Sequence, residues 1–315
     1  MLKPELTTIA ESILKQYYQF DEFVETLVPL KGGEWSAAYK YRFDGYDYVI
    51  RLSNVNDNFY RDKFATGYSS VALPIPQIIN IDKYEDQYYA LSPFYYGEPF
   101  EKLSVINLDK TISSFIKMMT ALQSTNLNSI RGYGTITNTG LGAFNSWNDA
   151  LLDVNKERSD SLIPGWKSIL RKDIRALSKY NLFYQQLDDL VSFCPKSKGL
   201  IHGDLLYQNL LVDNAKISAV LDWGCAMIGD PLYDIAIFSF FEPWYPAFSQ
   251  VKLIDKMIQS YLAQSPDNST NFKERMLAYQ IHLTLGNIAY CAYSLGEHDY
   301  NQHIKRLEAV IENFG

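Results

Sequence analysis

Cysteine is scarce in this 315-residue chain: Cys194, Cys225 and Cys291 are far apart, odd in number and form no C-x-x-C pair. That pattern excludes a disulfide framework and a zinc cage and points to a reducing compartment. Long apolar runs are missing too; nothing approaches the ~18 consecutive apolar residues of a membrane-spanning helix. The opening MLKPELTTIAESILKQYYQF carries Glu5 and Glu11 where a signal peptide would need an unbroken apolar stretch. A cytoplasmic protein with no membrane partner is therefore expected. Positive charge is in deficit, since 29 Lys and Arg against 36 Asp and Glu leave a net charge of −7. A nucleic-acid partner gains no electrostatic help from such a chain, whereas a cationic small molecule does. There is no G-x-S-x-G elbow, H-E-x-x-H helix or Walker A loop, which removes the commonest hydrolase and P-loop classes.

What is present is an ordinary globular composition, 47% hydrophobic and 21% charged, with 15% aromatic residues including 24 Tyr that could wall a pocket. Ile9, Ile13, Leu14 and Tyr17 have helical spacing. From Thr26 to Leu52 the pattern is strand, Gly32-Gly33 turn, strand AAYKYRF, Asp44-Gly45 hairpin turn, and strand YDYVIRL. A short helix over Asn58 to Val71 follows, ended by the extended LPIP segment at 73–76. The runs QIINID (77–82) and YYALSPF (88–94) complete a five-stranded antiparallel sheet, and Tyr96-Gly97-Glu98-Pro99 breaks the pattern. Beyond it, 107–124, 168–193, 250–263 and 272–295 have apolar positions three and four apart, so the second part is mainly helical. Within it, 199–222 reads as a hairpin split by Asp213-Asn214. The expected fold class is α+β in two lobes: a small one at 1–95 built on a five-stranded antiparallel sheet and a larger, mainly helical one at 96–315.

His202-Gly203-Asp204, four residues, then Asn209 is the spacing of a kinase catalytic loop. An Asp and an Asn at the two ends of one tight loop can face the same phosphate, one accepting the acceptor's proton and the other giving a metal a neutral oxygen. Asp222-Trp223-Gly224, at the end of strand ISAVLD, supplies a second carboxylate in the position of a kinase Asp-Phe-Gly. Singly these are common turn residues. Together they make Asp204 the candidate catalytic group and Asn209 and Asp222 the candidate magnesium ligands, and with the two lobes they predict a protein-kinase-like fold, 1–95 the nucleotide-binding lobe and 96–315 the catalytic and substrate-binding lobe. A rival set, His202, Asp204, Asp222, Asp230 and Asp234 around two metals, would suit hydrolysis but leaves the N-terminal strands without a purpose.

The segments HGDLLYQN and LDWGCAMIGDPLYDIA resemble the aminoglycoside phosphotransferase family, and KPEL, GGEWSAAY, YVIRL, FYRD, ALPIP and SWND extend the resemblance to its hygromycin-type branch over nearly the whole chain. The resemblance implies magnesium-dependent transfer of the γ-phosphate of ATP or GTP to a hydroxyl of an aminoglycoside, and with it antibiotic resistance. It places Ser36 in the loop over the phosphates and Arg51 where protein kinases carry a strand lysine. Asp62 falls where the family pairs a glutamate with that cation, and Ser92 and Phe94 lie in the interlobe segment that holds the adenine. It leaves His202 as a scaffold residue and Asp230 as the group that anchors the loop.

For the cationic acceptor, Glu242 and Trp244 in FFEPWYPAF can bind ammonium groups and stack on sugar faces. Gln208 of the catalytic loop and Trp147 of SWND are the further candidate contacts. The alternatives are a kinase of another small alcohol, such as choline, a sugar or a macrolide, and a nucleotide-binding pseudoenzyme.

Overall fold

The computed structural model describes residues 4–19, 25–30, 36–159, 162–294 and 297–314. The Gly32-Gly33 turn lies outside the described residues. Helix α1 (Pro4–Tyr18) is followed by strands β1 (Glu25–Pro29), β2 (Ala37–Phe43) and β3 (Tyr46–Ser53). Asp44 and Gly45, both at positive φ, make the tight turn between β2 and β3, where two consecutive left-handed residues match the strand twist. Helix α2 (Asp57–Thr66) precedes β4 (Asn80–Tyr84) and β5 (Gln87–Pro93), and the five strands form one antiparallel sheet in the order β1-β2-β3-β5-β4. Alternate residues Tyr39, Tyr41, Ile50, Leu52 and Leu91 share a core with Ala10, Ile13 and Leu14 of α1, as the two-residue strand period and helical spacing require.

Helix α2 stops five residues short of the expected Val71. Gly67 and the hydroxyls of Ser69 and Ser70 end it, for Ser69 bonds both the N–H and the C=O of Ile75 and Ser70 accepts the Leu73 N–H. Ala65, Leu73 and Ile75 then pack into the larger core rather than the sheet's own.

Strand β6 (Glu98–Pro99) already belongs to the larger core region, pairing with a later strand, β10 (Leu210–Asp213), which is itself hairpinned to β11 (Lys216–Val220). Helix α3 (Val105–Gln123), capped by Ser104, buries Leu108, Ile112, Phe115 and Met119. A second sheet, unforeseen in the sequence, joins β7 (Tyr133–Ile136), β8 (Gly142–Phe144), β9 (Gly199–Ile201) and β12 (Met227–Gly229) in the order β8-β7-β12-β9. The expected hairpin over 199–222 is therefore only its later part: β9 pairs with β12. Short helices α4 (Trp147–Leu152) and α5 (Trp166–Leu170) precede α6 (Ile174–Leu190), and the single helix expected over 168–193 is broken because Asp173 caps α6, accepting the Arg175 and Ala176 N–H groups. Helices α7 (Leu232–Phe241), α8 (Pro246–Gln250), α9 (Leu253–Gln264), α10 (Phe272–Ser294) and α11 (Glu297–Glu312) complete the body. Among the described residues no helix is long and apolar enough to cross a membrane.

Candidate active site

The segment from β9 to β10 is a loop turned by three left-handed residues, Gly203, Tyr207 and Gln208. A side chain at Gly203 would meet the Cys225 carbonyl oxygen at 2.6 Å, so close approach as well as φ demands glycine. The turning brings the two ends of the loop together: Asn209 Nδ2 donates to the Asp204 carbonyl oxygen at 2.7 Å and to its carboxylate Oδ2 at 3.2 Å. With its nitrogen so committed, Asn209 keeps its Oδ1 for another partner.

Two further contacts fix the loop from behind. Asp234, on the first turn of α7, accepts the His202 and Gly203 N–H groups, both at 2.9 Å. Burial pushes its carboxyl up to about 6, and those two N–H groups oppose the rise. His202, fully buried, has Nε2 2.8 Å from the Leu221 carbonyl oxygen, while Nδ1 accepts the Asp204 N–H at 3.2 Å. That arrangement requires the neutral ring with its proton on Nε2, and burial accordingly pushes its pKa down to about 4. His202 is thus a scaffold residue. The loop anchor expected at Asp230 is Asp234 instead. Asp230 is held 45 residues away in sequence, accepting Arg275 Nε at 2.9 Å and the Tyr279 hydroxyl at 2.6 Å.

Asp222 sits on the opposite side of the cleft at φ 55, its carboxylate exposed and accepting the Gly224 N–H at 3.3 Å. Burial, and then repulsion from Asp222, push the Asp204 carboxyl up to about 7, as befits two carboxylates sharing one cleft. Arg51, in β3, pairs with Asp62 of α2, and its guanidinium lies over the Phe59 ring at 5.1 Å. Burial works against that charge, but Asp62 and Asp222 outweigh it and hold the Arg51 pKa above its ordinary value. Asp62 also accepts the Trp223 N–H at 2.8 Å, so one carboxylate joins the strand cation to the Asp-Trp-Gly turn.

At the end of β5, the Phe94 N–H donates to the Asp47 carbonyl oxygen across to β3, whereas the Leu91 carbonyl faces β4. Since strand backbones alternate in direction, the Pro93 carbonyl, between the expected Ser92 and Phe94, lies on the β4 side of the sheet, beyond the first residue of β4. Ser36 stands just before β2, and the residues preceding it, 31–35, lie outside the described residues.

On the outer side of the loop, Tyr207 is 55% exposed, and its ring meets Phe241 edge-on at 5.9 Å. Phe241 in turn meets the exposed Trp244 at 5.7 Å, which places Trp244 on the same rim as the catalytic loop. Glu242 accepts the Ser249 hydroxyl at 2.9 Å. Gln208 Oε1 accepts from Lys102 Nζ at 2.8 Å, tying the loop to the chain leaving the sheet. Trp147 is a correction. It is 2% exposed, donates through Nε1 to the Tyr279 hydroxyl and lies under Gly229, where a Cβ would meet its ring at 2.7 Å; it is core and walls no cleft. The two-metal alternative also fails: among the described residues no three His, Cys, Asp or Glu side chains are grouped to hold a metal.

Sequence reasoning missed Asp234 as the anchor, Lys102 as a partner of the loop, Tyr207 within it, and Arg61, which donates to the Gly224 carbonyl oxygen. Only the FYRD string at 59–62 gave a local hint of the last.

A five-stranded sheet packed on a helical body, with Asp204 and Asn209 on one loop and an Asp-Trp-Gly turn facing them, defines a kinase-like phosphotransferase. The family model described as "Phosphotransferase enzyme family" matches residues 65–266, and the chain belongs to that family. The chain is 29% identical over 293 residues to the hygromycin-B 4-O-kinase of Escherichia coli, covering 91% of this chain and 80% of that one. Among solved structures it is similar to a thermostable mutant of the aminoglycoside phosphotransferase APH(4)-Ia in ternary complex with AMP-PNP and hygromycin B. The TM-score is 0.80 with 25% identity, covering 96% of this chain and 97% of that one. A putative fructosamine-3-kinase from Haemophilus somnus shares the fold alone, with a TM-score of 0.62 and 18% identity over 96% of each chain.

Proposed function

We propose that the protein transfers the γ-phosphate of ATP or GTP to a hydroxyl of an aminoglycoside of the hygromycin type, and so inactivates the antibiotic in the cytoplasm. The observation that carries this reading is the Asn209–Asp204 contact: it commits the amide nitrogen and leaves one neutral oxygen beside two carboxylates. Neutral and anionic oxygens are the donor set that suits magnesium, and Asn209 Oδ1 and the Asp222 carboxylate would hold it. Bound there, the ion would neutralise the charge that develops on the transferring phosphate.

The remaining roles belong to the chain. Asp204 aligns the acceptor hydroxyl and accepts its proton, a task suited to a carboxyl raised toward neutral pH. Arg51 steadies the donor phosphates as a guanidinium whose charge Asp62 secures, with Ser36 in the loop above them. The backbone of the Ser92–Phe94 segment meets the adenine between residues 1–95, the nucleotide-binding lobe, and residues 96–315, the catalytic and substrate-binding lobe. Trp244, Glu242 and Gln208 line the acceptor side. The net charge of −7 favours a cationic acceptor, and the likeness to hygromycin-B 4-O-kinase narrows its type.

A coupled ADP-release assay over hygromycin B, spectinomycin, choline and a simple sugar tests the reading. Turnover with hygromycin B above the others is expected. Turnover with choline or the sugar alone would replace the aminoglycoside by another alcohol, and release with none would remove the function.

A further inference from the structure

Helix α2 carries two adjacent charged residues, Arg61 and Asp62, and both reach the Asp-Trp-Gly turn. Asp62 accepts the Trp223 N–H at 2.8 Å, and Arg61 Nη1 donates to the Gly224 carbonyl oxygen at 2.7 Å. The turn is thus held at two successive residues from one helix face. The same Arg61 Nη1 donates to Asn58 Oδ1 at 3.0 Å, and Nε donates to the Ile136 carbonyl oxygen at 2.8 Å, at the end of β7. One planar guanidinium therefore joins α2, the turn that presents Asp222, and the second sheet. Its side chain is 15% exposed; Asp57, 3.8 Å away, is exposed, and the adjacent Asp62 also favours the Arg61 charge. Its shortest contacts, at 2.7 and 2.8 Å, are to two backbone carbonyl oxygens rather than to a carboxylate.

The geometry also explains the third residue of the turn. A Cβ on Gly224 would lie 3.1 Å from the Asn58 side chain and 3.1 Å from Asp222 Oδ1, so α2 can approach this closely only against glycine. Asp222 itself sits in the left-handed region at φ 55, a conformation that persists in a non-glycine residue when its surroundings fix it. Arg61 and Asp62 supply that fixing from outside the turn.

We propose that Arg61 is a positioning residue for phosphoryl transfer: by gripping the Gly224 carbonyl while Asp62 grips the Trp223 N–H, it sets the orientation in which Asp222 meets the metal–nucleotide complex. The proposal rests on the phosphotransferase reading of Asp222. Geometry distinguishes it from a simple packing role, because the contact lies two residues from the carboxylate and acts on the backbone that aims it.

The test is calorimetric binding of AMP-PNP to the full chain, with magnesium and with chelator, for the wild type, Arg61→Met, Arg61→Lys and Asn58→Ala. Magnesium tightens AMP-PNP binding in the wild type; if it does not, the phosphotransferase reading itself falls. In Arg61→Met the affinity in chelator is retained, while the gain produced by magnesium falls about tenfold, the usual effect of removing a partner that orients a metal ligand. Arg61→Lys recovers part of the gain, since one ammonium reaches one carbonyl where the guanidinium reaches two. Asn58→Ala, which frees the guanidinium without removing it, gives a smaller loss in the same direction and stands in if Arg61→Met does not fold. A magnesium gain equal to the wild type's in the folded variants would overturn the proposal, as would equal losses with and without magnesium.

Discussion

Asn209 donates through one nitrogen to both the backbone carbonyl and the carboxylate of Asp204, five residues earlier, at 2.7 and 3.2 Å. A single amide thus sets the position of the Asp204 carboxylate, the proposed proton acceptor, and spares its own oxygen. Replacing it by Ala removes both services. Asn209→Ala is expected to lower kcat by about 10² or more, in the range of losses for a misaligned catalytic group, while the midpoint of thermal unfolding changes little. Steady-state kinetics beside a thermal melt checks it; a fall in KM alone would not fit.

Asp234 receives two backbone N–H groups, one buried and one half-buried, from the residues just before Asp204. Asp234→Ala leaves both without a partner, at about 1–3 kcal/mol for each unsatisfied group, and loosens the loop. Stability and kcat are expected to fall together. Asp234→Asn keeps one oxygen acceptor and loses less of each. Urea unfolding and turnover measured on the same preparations decide the matter.

Arg275 and Asp230 are buried together, with side chains 3% and 1% exposed, and Tyr279 completes the contact. Removing only the cation strands a buried carboxylate. Arg275→Met should therefore cost about 3–5 kcal/mol, and Asp230→Asn in the same chain should recover part of it. Chemical denaturation of the single and double variants measures the recovery.

Buried His202 makes one contribution to acid sensitivity, and its sign is fixed. Its pKa falls from 6.5 to about 4 on folding because burial disfavours the charged ring. The unfolded chain therefore takes up the proton first as the pH drops, and the stability present above 6.5 is lost progressively toward 4. The loss from this one group is roughly 3 kcal/mol across that window. Between pH 7 and pH 5 the urea midpoint of His202→Asn should lose less, or gain more, than that of the wild type, since the raised Asp204 and Asp234 carboxyls, which stabilise the fold as the pH drops, act alike in both; the variant is also expected to be less stable at pH 7. An unchanged slope in the variant would contradict it.

The catalytic loop and the Asp-Trp-Gly turn were legible because their residues lie on short continuous segments, where spacing alone brings them together. The long helix α10 was legible from its periodicity. Strands β9 and β12, three residues each, carry no period of their own and are defined by each other, so local pattern assigned β9 to the wrong partner. Trp147 misled for a related reason. Its neighbours Ser146, Asn148 and Asp149 are polar, but Ser146 caps α4, accepting the Asp149 N–H, and the ring turns inward beneath Gly229. The exchange of roles between Asp230 and Asp234 was decided by Arg275, 45 residues beyond Asp230, which no local pattern reveals.

The most direct measurement is mass spectrometry of hygromycin B after incubation with ATP, magnesium and the protein. The wild type is expected to add one phosphoryl group to the antibiotic. Asp204→Asn, which removes the proton acceptor but keeps the shape of the loop, is expected to add none while still binding nucleotide. Product from Asp204→Asn at the wild-type rate would contradict the role of Asp204, and unmodified hygromycin B with the nucleotide-bound wild type would contradict the proposed acceptor.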